Sequence, residues 1–483
     1  MKRPKKPARF DANLIVIGAG SAGLIAALIA ATVRAKVTLV EQALMGGDCL
    51  NTGCVPSKTL IRSAKVAHSL RDAQRYGLRN VTVDVDFGAV MQRVRDAVAT
   101  IAPNDSVERY TSLGVDCVSG TARIVDSYSV DVDGRRMTAR NIVVATGATA
   151  FVPPIPGIAD VGALTSDDVW TLQELPQRLL VLGAGPIGCE LAQCFQRLGS
   201  KVTLIDMADR VLPNEDADVS ELIADVLRGE GVDVLTGCKA ERFETGAQKR
   251  LIATHGQRSV AIDFDRVLVA VGRRAHTRAL GLEEVGVALN PNGTVRVDQY
   301  MRSSVPTIFA CGDAAGPYQF THMASHQAWY AAVNALFGRI RKFKVNYAVV
   351  PWATYTDPEV ARVGLSEAEA KAAGVDVEVS RHALEHVDRA IADGETGGFI
   401  KVLTRRGSDR VLGATIVAPH AGELIMEYVL AMTHGLGLKQ LINTIHIYPT
   451  RAEINKAVAN AWRRAHAPTG LLAYAARYHA LWR

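Results

Sequence analysis

Twice along this chain an apolar, β-branched run ends in a glycine-rich turn and opens into a helix, and twice an acidic residue follows at the same distance. Asn13-Leu-Ile-Val-Ile-Gly18 reads as a buried parallel strand, and an alanine-rich helix is expected from Leu24 to Thr32. Gly18, Gly20 and Gly23 keep the G-x-G-x-x-G spacing: the first turns the chain, the second admits a pyrophosphate, and the third lets helix pack on strand. The phosphates would meet the free amides of the helix start. A strand from Lys36 to Val40 then ends in Glu41, twenty-three positions after Gly18, where a carboxylate can accept the hydroxyls of a ribose. The construction returns at Leu179-Leu-Val-Leu-Gly183, with Gly185 and Gly188 completing the spacing and Asp206 closing a strand from Lys201 to Ile205. One glycine motif alone is a weak signal, because such turns also serve packing. Two, each with its acidic partner, point to two bound dinucleotides and to electron transfer between them. A carboxylate at Asp206 repels a 2′-phosphate, which favours NADH over NADPH, although Arg210 nearby in sequence blurs that preference.

The length of 483 residues accommodates about three domains of about 150 residues each. Of the net charge of +6, five units come from Lys2, Arg3, Lys5, Lys6 and Arg9, so the rest of the chain carries no nucleic-acid footprint. No apolar core or small-residue cleavage site follows those residues, and they read as a disordered leader rather than a targeting tail. No apolar run reaches the roughly 18 residues of a transmembrane helix. Seven cysteines at irregular spacings argue against a secreted disulfide scaffold and for a reducing, cytoplasmic setting. Cys117, Cys189, Cys194, Cys238 and Cys311 sit among apolar or small neighbours and read as inert core residues. No Cys/His spacing matches a zinc site, and no metal ligands are expected.

The remaining two cysteines lie in Gly46-Gly-Asp-Cys49-Leu-Asn-Thr-Gly-Cys54-Val-Pro-Ser-Lys58, just past the strand that ends in Glu41. Four intervening residues, with glycine and small polar side chains among them, permit a helical turn in which the sulfurs meet. Cysteines near a helix start exchange as thiolates near neutral pH. The alternative is a pair of buried structural cysteines. The segment resembles, nearly letter for letter, the redox-disulfide signature of the class I pyridine nucleotide-disulfide oxidoreductases. Ala145-Thr146-Gly147 and Ala270-Val-Gly272-Arg273 resemble that family's strand-end turns over its two cofactors, and Phe309-Ala-Cys-Gly312-Asp313 resembles its second FAD motif. Asp357-Pro-Glu-Val-Ala-Arg-Val-Gly364 resembles the opening of its dimerisation domain.

The resemblance implies an α/β fold of two Rossmann-like domains and a C-terminal α+β dimerisation domain. FAD would be held by residues 1–150 and 275–345, NADH or NADPH by 151–274, and the partner subunit by 346–465, with 466–483 as a tail. It implies FAD contacts at Gly18, Gly20, Gly23, Glu41, Gly47, Lys58, Thr146, Gly147 and Asp313, the last facing the ribityl chain. The nicotinamide nucleotide would meet Gly183, Gly185, Gly188, Glu190, Asp206 and Gly272. Cys54 would contact the flavin, Cys49 would attack the acceptor, and Lys58 would pair with Glu190 beside the hydride-accepting nitrogen. Without the resemblance, both residues of that pair would be ordinary solvated helix charges.

Where the family's disulfide reductases end in His-Pro-Thr-x-x-Glu, this chain reads Tyr448-Pro-Thr-Arg-Ala-Glu453. Tyrosine donates a hydrogen bond but is a poor base at neutral pH, and loss of a general base typically costs about 10² to 10⁴ in rate. His446, two residues earlier, reads as a packing histidine rather than a substitute. Tyrosine at this position, Val387–Lys401 and Gly185–Glu190 resemble the mercuric-reductase branch. That branch, however, carries a C-terminal cysteine pair, and the last cysteine here is Cys311. The expected function is thus a homodimeric flavoprotein, its active site shared across the interface, reducing a disulfide, a metal-thiolate or a quinone-like acceptor. The rivals are a dihydrolipoyl dehydrogenase and an FAD- and NAD-binding redox sensor. The tail from Leu471 to Arg483 reads as a basic amphipathic helix, expected to pack on the protein's own dimer.

Overall fold

The computed structural model describes residues 6–483, so Lys2, Arg3 and Lys5 of the basic leader lie outside the described residues. The chain forms two units, Met1–Asp209 with Leu227–Asn346, and Arg210–Val226 with Tyr347–Arg483.

The first unit is built on two sheets whose central strands run parallel in the same design. In one, strands lie in the order Val115–Ser119, Val37–Glu41, Ala12–Ile17, Arg135–Val144, Ser129–Val132, Ala122–Asp126, the last two joined antiparallel, with Ile308–Ala310 also paired to Arg135–Val144. In the other, the order is Asp233–Leu235, Lys201–Ile205, Arg178–Leu182, Arg266–Val269, Leu164–Thr165. Each glycine turn follows the strand at which the order reverses, with Ile17 in register with Val40 and Val144, and Leu182 with Ile205 and Val269. A doubly wound sheet opens its ligand crevice at that point, because the loops on either side diverge.

The β-branched runs form these strands because both faces are covered. Leu14, Ile15 and Val16 are fully buried, and each such side chain contributes about 1.5–3 kcal/mol by leaving water. The helices Ser21–Thr32 and Thr321–Phe337 pack against one another at this sheet. The first of them starts three residues earlier than its apolar pattern predicts, because extended Gly20 acts as the N-cap and Gly23 falls inside the first turn. The next strand ends in Glu41 as expected and begins at Val37, one residue after Lys36. Cys189, Cys194, Cys238 and Cys311 are buried as expected, and burial pushes the Cys311 thiol up to about 12. Cys117 differs: it is only half-buried, because its strand lies at the sheet edge.

The second unit is a five-stranded antiparallel sheet in the order Pro351–Thr354, Glu359–Gly364, Val411–Ala418, Phe399–Arg405, Val377–Ala383. Ile400 and Ile416 of the sheet share a core with Tyr428, Ile454 and Trp462 of the following helices. Arg210–Val226 completes this unit through ion pairs. Lys401 and Arg362 are each only 1% exposed. The ammonium of Lys401 is held by Asp216 at 2.8 Å, Asp218 at 2.9 Å and Glu367 at 2.7 Å, and Arg362 pairs with Glu215 at 3.0 Å and Glu369 at 2.6 Å. A buried cation without such partners would be severely destabilising. The helix Thr469–Ala480 has no buried residue. Among the described residues, no helix is long and apolar enough to cross a membrane.

Candidate active site

At the first glycine turn, a Cβ on Gly23 would stand 1.7 Å from the Gly18 carbonyl, and one on Gly18 2.4 Å from that of Ala145. The second turn repeats this: Gly188 would stand 1.8 Å from the Gly183 carbonyl and Gly183 2.5 Å from that of Ala270. These four positions exclude any side chain because backbone occupies the space. The middle glycines are different. Gly185 has nothing within 4 Å of a built Cβ, and Gly20 has only the Gly47 Cα at 3.7 Å. Gly147 and Gly272, on the neighbouring strand-end turns, also face open space. A missing side chain that no protein atom replaces leaves room for a ligand to approach the backbone, so the residues present fit two pyrophosphate-bearing cofactors.

The acidic partners are fixed in the same way at both turns. Glu41 accepts from the amides of Ala19 at 2.6 Å and Ala43 at 2.8 Å, and Asp206 from those of Ala184 at 2.5 Å and Ala208 at 2.8 Å. Each carboxylate is thereby oriented at its strand end with further acceptor capacity for ribose hydroxyls. Thr146 donates to the His276 carbonyl at 2.6 Å, and the His276 amide donates to the Gly147 carbonyl at 2.9 Å, which fixes the first strand-end turn.

The cysteine segment is tied directly to the first turn. The Gly46 amide donates to the Ala19 carbonyl at 2.9 Å, and a Cβ on Gly47 would stand 2.6 Å from the Gly20 Cα. Asn51 bonds the Met45 and Gly47 carbonyls, and the Trp170 indole donates to the Thr52 carbonyl at 2.8 Å. Cys49 lies in the short helix Gly47–Asn51, and Cys54 is the first residue of the long helix Cys54–Arg71. Cys49 is half-buried and Cys54 exposed.

The two sulfurs polarise each other. Donation from Cys49, followed by the Thr321 hydroxyl at 3.3 Å and the Lys58 ammonium, holds the Cys54 thiol below its usual range against burial. Cys49 is pushed up, first by that donated bond and then by burial. The arrangement stabilises one thiolate, on Cys54, whose place at a helix N-terminus also favours negative charge.

One turn along the same helix, Lys58 Nζ meets Glu190 Oε2 at 2.9 Å. Glu190 is only 6% exposed and belongs to Pro186–Leu198, the helix that opens the second glycine turn. An ion pair thus joins the cysteine helix to the second dinucleotide turn.

Asp313 is buried enough that its carboxyl is pushed up to about 6, with Arg273 at 4.0 Å pulling the other way. Arg273 also pairs with Asp48, the neighbour of Cys49, lies 3.6 Å from Asp167 and donates to the Ala148 carbonyl at 2.7 Å. Neither this junction nor Thr321, whose hydroxyl lies 3.3 Å from the Cys54 sulfur, is evident from spacing. The only sequence signal was that Arg273 ends a recognised motif.

In the second unit, the Tyr448 hydroxyl donates to Asp388 at 3.0 Å, and this bond raises its already high pKa. Arg451 pairs with Asp393 at 2.6 Å and with Glu395, so the 387–395 segment is fastened to the Tyr448 turn at several points. Glu453 accepts weakly from the Thr450 amide at 3.4 Å in its own helix start. His446 uses one ring nitrogen on Glu427 at 3.0 Å and the other on the Thr444 carbonyl at 3.1 Å.

Residues 12–328 match the family described as pyridine nucleotide-disulphide oxidoreductase, and residues 350–459 match its dimerisation domain. The chain is 35% identical over 446 residues to a mercuric reductase of Bacillus cereus, covering 92% of this chain and 70% of that protein. It is also 35% identical over 449 residues to a dihydrolipoyl dehydrogenase of Chlamydia muridarum, covering 92% and 95% respectively. Among solved structures it resembles the HOCl-induced flavoprotein disulfide reductase RclA from Escherichia coli, with a TM-score of 0.83, 30% identity and coverage of 93% of this chain and 99% of that one.

Proposed function

Because the chain belongs to the pyridine nucleotide-disulphide oxidoreductase family, whose members use FAD and NAD(P)H, we propose that it passes electrons from NADH to an acceptor through Cys49 and Cys54. The supporting observation is the Lys58–Glu190 pair, which bonds the helix of one dinucleotide turn to the helix that starts with Cys54. When bound, FAD would supply two-electron transfer between the nicotinamide and the Cys49–Cys54 disulfide. The FAD would lie on residues 1–150 and 275–345, with its phosphates over Gly18, Gly20 and Gly23, its ribose at Glu41, and Gly47, Thr146, Gly147 and Asp313 along its length. NADH would lie on residues 151–274, over Gly183, Gly185 and Gly188, with Asp206 at the ribose and Gly272 beside it. Asp206 favours NADH because a second anion at that ribose would face a carboxylate already fixed by two amides.

In the reduced pair, Cys54 keeps its thiolate and Cys49 is the attacking sulfur. Toward a disulfide acceptor, Cys49 displaces one thiol and forms a mixed disulfide. Cys54 then displaces the second thiol and closes the Cys49–Cys54 bond, so two electrons leave with the product, together with the Cys49 proton and one proton taken from solvent. Toward a soft metal ion such as mercuric ion, the two thiolates act as ligands. Residues 346–465 would pair two subunits and bring Tyr448 and Glu453 to the acceptor. Tyr448 donates a hydrogen bond but does not serve as base, and this favours the thiol-bound metal or an activated disulfide over lipoamide. Dihydrolipoyl dehydrogenase remains the second reading, supported by a relative of that name at equal identity.

Anaerobic titration with NADH, followed by mercuric ion, oxidised lipoamide or oxidised glutathione, tests this. A long-wavelength band should appear on reduction and be absent in Cys54→Ala, with acceptor turnover down about 10³-fold or more. Bleaching without a band would overturn the cysteine relay, and lipoamide-dependent NADH formation would favour the second reading. Because the Cys54 thiol is held low, the band should persist well below pH 9 and fade only as Cys54 is protonated. In Cys49→Ser, which weakens the leading cause, the fade should move upward in pH.

A further inference from the structure

After Glu453 the last thirty residues hold no acidic side chain, but they carry Lys456, Arg463, Arg464, Arg477 and Arg483. Their final helix, Thr469–Ala480, lies beyond residue 459, where the family match ends. From Pro468 to Arg483 every residue except Ala475 is exposed. The exposed set includes Leu471, Tyr474, Tyr478, Leu481 and Trp482, the last two at 82% and 77%. At 100° per residue these five fall within about 120° of arc, so they form one stripe. The Tyr478 and Trp482 rings lie 6.1 Å apart along it.

We propose that this helix lies in the headgroup region of an anionic lipid surface and holds the enzyme there. Twelve residues make a helix of about 18 Å, too short to span a bilayer but long enough to lie along its surface. Tyrosine and tryptophan suit that depth because each has an apolar body and a polar edge, and arginines on the flanks meet lipid phosphates. Charge selects the surface: a stretch with cations and no acids is attracted to anionic lipid and not to neutral lipid.

The test is sedimentation of the full-length holoenzyme with vesicles of phosphatidylglycerol and phosphatidylethanolamine, against vesicles of phosphatidylcholine. The enzyme should pellet with the anionic vesicles, less so at high salt, with a blue shift in tryptophan emission that is lost in Trp482→Phe. Arg477→Glu with Arg483→Glu, and separately Leu481→Ser with Trp482→Ser, should each weaken partition by about tenfold or more while NADH oxidation with an artificial acceptor is unchanged. Wild-type enzyme remaining in the supernatant, or variants pelleting like wild type, would overturn the proposal. So would a dimer that dissociates in the tail variants, by light scattering, with vesicle retention unchanged; the helix would then belong to a second copy of the chain.

Discussion

At the first glycine turn Ala19 donates to Glu41, and at the second Ala184 donates to Asp206; in both, a helix glycine is pressed onto the carbonyl of the turn. The surroundings differ. The first turn is roofed by the cysteine segment, with Gly47 against Gly20, whereas nothing stands within 4 Å of a built Cβ on Gly185. The helix that opens the second turn sends Glu190 to Lys58 on the cysteine helix. A repeated backbone device therefore makes two equivalent cradles, and in the proposed assignment what is packed at the mouth of each sets which cofactor it takes.

The largest effect should come from separating the two roles of glycine within the second turn. Gly188→Ala pushes a methyl into the Gly183 carbonyl and should destabilise the protein by about 3 kcal/mol, read as a lower Tm. Gly185→Ala meets no protein atom and should leave stability within about 0.5 kcal/mol. It should nevertheless raise KM for NADH about tenfold, as expected if the open space belongs to the pyrophosphate. Equal stability loss in both would collapse the distinction.

Next in size, Glu190→Gln should slow flavin reduction by NADH, in stopped flow, by about 10- to 100-fold, with smaller effects on reoxidation by the acceptor. A change confined to reoxidation would assign the pair to the cysteines alone. Smallest, Asp206→Ser should shift the ratio of kcat/KM for NADH over NADPH toward NADPH by about tenfold. The corresponding Glu41→Gln should leave that ratio unchanged and lower FAD retention instead. A shift from Glu41→Gln would mean that the two turns had been assigned to the wrong cofactors.

Both turns were legible because their chemistry is local: strand, glycines and acidic residue lie within about two dozen positions, and backbone geometry dictates the residue types. The cysteine segment was legible for the same reason. Thr321 was not, because it reaches Cys54 from 267 positions away and reads as an ordinary helix-start threonine. Arg273 was quoted as the end of a turn, yet nothing in its neighbours announces that it would gather Asp48, Asp167 and Asp313. The start of the first helix was misplaced because glycines at 20 and 23 look like loop residues when their role is close packing. The grip of Asp388 on Tyr448 joins two segments sixty residues apart that were each noticed alone.

The excursion of Arg210–Val226 into the second unit bears on how such enzymes can be recombined. A graft that exchanges everything after Tyr347 between relatives would leave behind Glu215, Asp216 and Asp218. Lys401 would then keep only Glu367, and Arg362 only Glu369, in sites that water barely reaches. The module that can be inherited intact is therefore not a contiguous stretch of gene. Functional chimaeras should require three crossovers, on either side of the acidic excursion and before Tyr347, so that the excursion travels with the C-terminal part.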